Sequence, residues 1–324
     1  MGINPAIAKR SLGQTGIQVS PVGLGVMEFS GGGGLLGFAF AAISQEEKNA
    51  IVKAALDGGI NWFDTAEMYG LGVSERSLAV ALKAAGTSAD DVIVGTKWLS
   101  FFRTAGNLPR TIDDRLHYLD GYHVDLYMIH QPRSFSSPEA EMDAMADLVS
   151  AGKIRSVGVS NFDAARMRRA HKELSKRGLP LAVNQVHYSL LHRQIETDGV
   201  LETARELGVT IVAYTPLAMG LLTGKYHQHP ELLNRGGDLR RRMLRRNLEK
   251  SRPLVQAMEE IGAQYHASPA QVALNWLIHS QGEGVVTIPG ATRVSQAEEN
   301  AGAMRFKLSE TDLARLDELS RLFR

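Results

Sequence analysis

Short apolar, largely β-branched runs alternate along the chain with longer stretches in which apolar positions recur every three or four residues. The runs are Val22–Val26, Ile60–Asp64, Val92–Lys97, Val124–His130, Ile154–Ser160, Leu181–Val186, Val209–Tyr214 and Gly284–Ile288. Most are nearly continuous, as expected of parallel strands covered on both faces. Between them, Ser44 with Glu47 predicts a capping box, and Ser137-Pro138 and Ser268-Pro269 read as an N-cap followed by proline in the first turn. Gly58-Gly59, Gly121, Gly152 and Gly208 stand where helices should stop before the next strand. Eight such alternations predict an α/β fold, a (β/α)8 TIM barrel, over an open doubly wound sheet. Lys9–Val19, with Gly13 and Gly16, reads as an N-terminal β-hairpin. The last segment, with Ser309 and Asp312 as a capping box, reads as an appended C-terminal helix. No interdomain linker interrupts the pattern, so residues 1–324 are expected to form one barrel domain.

Composition narrows the chemistry. The chain has no cysteine, which removes disulfides, thiolate nucleophiles and zinc-thiolate sites. Lys and Arg number 36 against 35 Asp and Glu, which leaves no overall field to attract nucleic acid or an anionic membrane. Neither a membrane-spanning apolar run nor a secretory signal is read, and a cytoplasmic location is expected. One local exception runs from Arg235 to Arg252, with eight basic residues against two acidic ones and a dense core over Arg240–Arg246. It reads either as a solvated loop and helix face or as a phosphate contact.

In a barrel of this kind, functional groups collect at the C-terminal strand ends. Asp64, Lys97 and His130 fall there on three consecutive strands, and Tyr69 follows Asp64 in the next loop. A buried Asp64–Lys97 pair would set an ammonium beside the Tyr69 phenol and is expected to lower its pKa. Such a tyrosine can exchange a proton with a carbonyl oxygen while His130 donates a hydrogen bond to the same atom. Singly, each residue has an ordinary structural explanation, as an ion pair, a satisfied core histidine or a packed ring. Their joint placement favours the functional reading.

Gly59-Ile60-Asn61-Trp62-Phe63-Asp64-Thr65-Ala66-Glu67-Met68-Tyr69-Gly70, Val124–His130, Gly152–Phe162 and Asn184–Leu190 together resemble the aldo-keto reductase superfamily. Ala213–Leu217 and Gly220–Tyr226 are most similar to the branch with potassium-channel β subunits and bacterial reductases. The resemblance implies NADPH-dependent reduction of an aldehyde or ketone to the alcohol, with Tyr69 as general acid assisted by Asp64, Lys97 and His130. It implies that Ser160, Asn161 and Gln185 hold the nicotinamide carboxamide and that Tyr214 stacks on its ring. Met27 joins this cofactor set; Thr215, Leu217, Gly220 and Lys225 would run along the pyrophosphate. Gly290, Thr292, Arg293, Gln296, Glu299 and Asn300 would hold the adenosine half. A loop leading into a helix N-terminus suits phosphate in its own right, and Arg293 would pair with a 2′-phosphate or stand as an exposed helix-start arginine. An NADPH-binding regulatory or redox-sensing protein with little turnover shares all these cofactor residues. Sugar, aromatic, pyridoxal-like and steroid carbonyls all fit the substrate class, and neither the reaction direction nor the oligomeric state is read.

Trp98, Phe101 and Phe102 follow Lys97 closely; core packing is the ordinary explanation of clustered aromatics, and their place just past a barrel strand favours a substrate wall. Gly32-x-Gly34-x-x-Gly37 formally matches a dinucleotide fingerprint. It is set aside because Met27–Ser30 intervene after the strand and the next helix is capped only at Ser44; the Gly31–Gly34 loop reads instead either as a mobile loop or, with Phe38 and Phe40 as apolar contacts, as a substrate lid. His187, His192, His227 and His229 lack metal-site spacing, so no metal is expected. No Gly-x-Ser-x-Gly elbow supports a hydrolase.

Overall fold

The computed structural model describes residues 7–31, 42–235 and 238–324. Strands β1 (Arg10–Ser11) and β2 (Gln18–Val19) form the expected antiparallel hairpin. Eight parallel strands follow in sequence order: β3 (Leu24–Gly25), β4 (Trp62–Asp64), β5 (Ile93–Trp98), β6 (Leu126–Ile129), β7 (Ser156–Ser160), β8 (Leu181–His187), β9 (Thr210–Tyr214) and β10 (Val285–Thr287). The ring closes between first and last: Val22 bridges Thr287 and Gly25 bridges Gly290, with the Gly23 N–H donating to Thr287 O at 2.8 Å. This is the (β/α)8 barrel, and each of its strands falls in one of the apolar runs, with β5 and β8 reaching one residue further, to Trp98 and His187.

Two apolar layers hold it. The interior is filled by Trp62, Leu126, Met128, Val183, Val212 and Val286, and the hairpin adds Leu12, Ile17 and Val19 to the same cluster. The hairpin therefore plugs the N-terminal end of the barrel and leaves the opposite end for chemistry. The outer layer, between strands and helices, is the larger cluster.

Helix starts follow the local chemistry. Ser44 caps Gln45–Asp57 with the full reciprocal box, and Ser268 with Gln271 does the same for Pro269–His279. Ser137 caps Pro138–Ser150. At Glu310–Ser320 only half of the expected box forms. The Ser309 hydroxyl accepts from the Asp312 N–H, but the Ser309 N–H donates to the Tyr265 hydroxyl at 3.0 Å, so a tertiary contact replaces the return bond. The basic segment lies largely on the helix Asp238–Tyr265, where Arg242, Arg245 and Arg246 are exposed and Arg252 pairs with Glu249. Among the described residues no helix is long and apolar enough to cross a membrane.

Candidate active site

The strand alternation sends Asp64, Lys97 and Gln185 into the barrel mouth. The Lys97 ammonium is wholly buried; it donates to Asp64 Oδ2 at 2.6 Å and to Thr65 O at 2.7 Å. From across the barrel, Gln185 Nε2 donates to the other Asp64 oxygen at 2.8 Å. Burial pulls the Lys97 ammonium down from its ordinary value, and Asp64 opposes that shift. Tyr69 leans over this pair, with Lys97 Nζ 5.0 Å from the ring centre. The His130 ring meets Tyr69 edge-on at 5.8 Å. The four predicted catalytic residues thus converge on one point.

Their electrostatics differ from the sequence expectation in one respect. Burial, then the charges of Asp64 and Glu28, hold the Tyr69 phenol well above its ordinary pKa, not below it. The ammonium is committed to Asp64 and Thr65 O, so its charge is largely compensated before it reaches the phenol. Tyr69 therefore carries its proton at neutral pH. Burial, and then Lys97, push His130 down to about 3, so its imidazole is neutral. His130 Nδ1 is buried with no hydrogen-bond partner among the described residues.

Beside this cluster runs a connected polar strip. Ser160 Oγ donates to Gln185 O at 2.9 Å, Asn161 Nδ2 donates to Ser160 Oγ at 2.9 Å, and the Tyr214 hydroxyl donates to Asn161 Oδ1 at 3.0 Å. Asn161 adopts a left-handed φ of 61°. After β9 the backbone is more unusual: Thr215, Ala218 and Met219 all take φ between 48° and 55°, and Gly220 follows at 89°. Three non-glycine residues in that region cost about 1–3 kcal/mol each, a pattern found at ligand-gripping loops. Gly220 is the residue the turn requires, since a Cβ there would also stand 3.0 Å from Lys225 Nζ. Leu217 is half-buried in this loop.

Past β10, Gly290 lies against Glu28, whose carboxylate would meet a Cβ at 2.6 Å. Met27 and Glu28 share one short 3-10 turn after β3, so this turn faces the Gly290 segment. Arg293 sits at the N-cap of Val294–Gly302, exposed, and its side chain pairs with none of the described residues. Asn300 Nδ2 holds Gly290 O at 3.2 Å. Thr292 and Glu299 are engaged internally: Gln296 Oε1 accepts from the Thr292 N–H at 2.7 Å, and the Glu299 carboxylate accepts from Ser268. Arg293 is thus the member of this segment with no side-chain partner among the described residues.

The aromatic wall needs correction. Trp98 is fully buried in the outer core and its indole N–H donates to Asn107 Oδ1 at 2.9 Å; alternation along β5 points Lys97 in and Trp98 out. Phe102 is 83% exposed and 6.2 Å from Phe135, a partner on the next loop that sequence reasoning missed. Phe101 lies under the Arg133 guanidinium. Also missed was Glu67, which anchors this loop by accepting from the Leu99 N–H at 2.9 Å and from Arg103 at 2.8 Å. Its place in the aspartate–tyrosine segment was the available signal. No group of metal ligands occurs among the described residues. Gly32, Gly34, Gly37, Phe38 and Phe40 lie outside the described residues.

Comparison with known proteins agrees with the fold. A family model described as the Aldo/keto reductase family matches residues 21–321. An uncharacterized oxidoreductase of Mycobacterium tuberculosis is 38% identical over 313 residues, covering 95% of this chain and 91% of that protein. An NADP(+) aldo-keto reductase of Schizosaccharomyces pombe is 32% identical, with 85% and 83% covered. Among solved structures, a thermostable aldo-keto reductase in complex with the inhibitor epalrestat is 34% identical, with 96% of this chain and 99% of that one covered and a TM-score of 0.76.

Proposed function

Given that the chain belongs to the aldo/keto reductase family, we propose that it reduces an aldehyde or ketone to the alcohol with NADPH, reversibly, and that Tyr69 supplies the proton. The observation that carries this reading is the meeting of a protonated phenol, Tyr69, and a neutral imidazole, His130, above the buried Lys97–Asp64 pair.

The donor set fits a nicotinamide dinucleotide. Ser160, Asn161 and Gln185 present amide and hydroxyl groups suited to a carboxamide, Tyr214 a flat ring, and the Thr215–Gly220 turn with Lys225 a cationic rim suited to a pyrophosphate. Met27 and Gly290 would flank it. Arg293, unpaired at a helix start, would take a 2′-phosphate, and Asn300 shapes the loop through Gly290; Thr292, Gln296 and Glu299 would serve the adenosine end once their internal bonds open. When bound, the dinucleotide supplies the hydride.

The chain's own part is then to orient and protonate. Tyr69 gives its phenolic proton to the carbonyl oxygen, and the neutral His130 donates a hydrogen bond that orients that oxygen. Lys97, held by Asp64, offsets the negative charge left on the phenol oxygen. Orientation of the reactants contributes on the order of 7–11 kcal/mol, and the positioned acid about 10²–10⁴-fold. Phe101, Phe102 and Phe135 would contact the substrate's apolar portion.

The test is NADPH consumption, followed by absorbance, with a panel of sugar, aromatic, pyridoxal-like and steroid carbonyls. Multiple turnovers with a preferred member support the proposal. A single stoichiometric oxidation across the whole panel would overturn it in favour of a redox-sensing NADPH-binding protein.

A further inference from the structure

Tyr214 is half-buried, and one of its faces is occupied by protein. Its register partner on the neighbouring strand, His187, stacks on it with ring centres 5.3 Å apart and planes 10° from parallel. His192 stacks in turn on His187, at 3.9 Å and 14°. The second histidine is brought there by a tight reversal in which the Ser189 and His192 backbones exchange hydrogen bonds of 3.1 and 3.0 Å. The next residue, Arg193, locks that reversal: it is fully buried, and its guanidinium is shared among Glu196, Asp317 and Ser320.

The stack does something the polar strip cannot. The Tyr214 hydroxyl donates to Asn161, but its oxygen lies on the axis about which the ring turns, so the bond anchors the tip and constrains the tilt of the plane only weakly. Only a flat contact on a face sets the tilt. His187 provides that contact, and His192 prevents His187 from tilting itself. Offset-stacked rings at 4.5–7 Å are the favoured arrangement for such pairs. Both imidazoles are held below their ordinary pKa, His187 by burial and then by His192, down to about 4, so at neutral pH the stack is uncharged. Around it the structure sets Asp198, whose charge acts on His192.

We propose that His187, braced by His192, is a positioning residue that sets the plane of Tyr214 and thereby the affinity for the nicotinamide dinucleotide. The inference rests on the reading of Tyr214 as the platform for the nicotinamide ring. It assigns a role to two histidines that lie outside the catalytic four.

The experiment compares His187→Ala, His187→Phe and Tyr214→Ala with the unaltered protein. NADPH dissociation constants are read from quenching of protein fluorescence, carbonyl KM from turnover of 4-nitrobenzaldehyde, and the flip rate of the Tyr214 ring in the cofactor-free protein by NMR. His187→Ala is expected to weaken NADPH binding about three- to tenfold, to speed the Tyr214 ring flip, and to leave carbonyl KM unchanged. His187→Phe, which keeps a flat ring and loses the imidazole nitrogens, is expected to restore both NADPH affinity and the slow flip. Should the alanine variant fail to fold, His187→Gln carries the same expectation. Unchanged NADPH affinity in the ringless variant, or a phenylalanine variant as impaired as it, overturns the positioning role. Unchanged affinity in Tyr214→Ala instead overturns the platform itself, a separate failure.

Discussion

The Lys97 ammonium faces the Tyr69 ring from 5.0 Å, yet its hydrogen bonds run to Asp64 and Thr65 instead. Lys97 therefore holds its place beside the ring as one half of a buried pair with Asp64. Removing one partner leaves an uncompensated charge in a buried place, which costs about 3–5 kcal/mol. Lys97→Met is expected to lose that much stability in urea unfolding. The double change Asp64→Asn with Lys97→Met should recover most of it, because no lone charge remains, while turnover stays lost in both. A double variant as unstable as the single one would show that the pair is not acting as a unit.

Tyr69→Phe removes one hydroxyl and leaves the ring against Lys97 and His130. Since the phenol is assigned to proton transfer and not to holding the dinucleotide, NADPH affinity should stay within about twofold, and kcat should fall about 10²–10⁴-fold. Fluorescence titration and steady-state turnover measure the two separately. Wild-type turnover would remove Tyr69 from the acid role.

Glu28 is a titrating neighbour of that acid. Burial raises its carboxyl to about 7, and its charge is among those that hold the Tyr69 proton. The sign follows: as pH rises through about 7, Glu28 ionises, and the new negative charge tightens the phenol's grip on its proton. A raised carboxyl also means the fold binds a proton that the unfolded chain releases near 4.5, so Glu28 lowers stability as pH climbs from there to about 7. Glu28→Gln should remove an inflection near pH 7 from the profile of alcohol oxidation and flatten the stability profile over the same interval. Paired pH–rate and urea-unfolding series check both, and an inflection that persists in the variant assigns it to another group.

The barrel was legible because its strands are covered on both faces: runs such as Val124–His130 carry few polar residues, and His130 is the one at the mouth end. Asp64, Lys97 and His130 were visible for that reason. Alternation, applied one residue further, would have placed Trp98 in the outer core. It would also have put His187, two residues after Gln185, on the cofactor side of β8. Three things lay outside any local pattern. The Glu28 carboxylate meets Gly290 only because the barrel closes between β3 and β10. Phe135 meets Phe102 across two separate loops. The raised Tyr69 pKa is a sum over burial and several charges, whereas sequence reasoning weighed one neighbouring cation.

Arg293 offers the sharpest test of cofactor choice. It stands at the start of Val294–Gly302 with no hydrogen bond from its side chain to the helix and no ion pair among the described residues. A planar guanidinium there matches a phosphate by two parallel donors, and the helix start adds its own positive end. A charge-assisted hydrogen bond contributes about 1.5–3 kcal/mol. Arg293→Ala should therefore weaken NADPH binding by roughly ten- to a hundredfold and leave NADH, which lacks the 2′-phosphate, nearly unchanged. Added salt should narrow the gap between the two cofactors in the unaltered protein, since the site is exposed and screening acts on it, and have little effect in the variant. Dissociation constants for both cofactors at two ionic strengths, in the unaltered protein and the variant, supply all eight numbers. If the preference for NADPH survives in Arg293→Ala, the 2′-phosphate is read elsewhere on the chain.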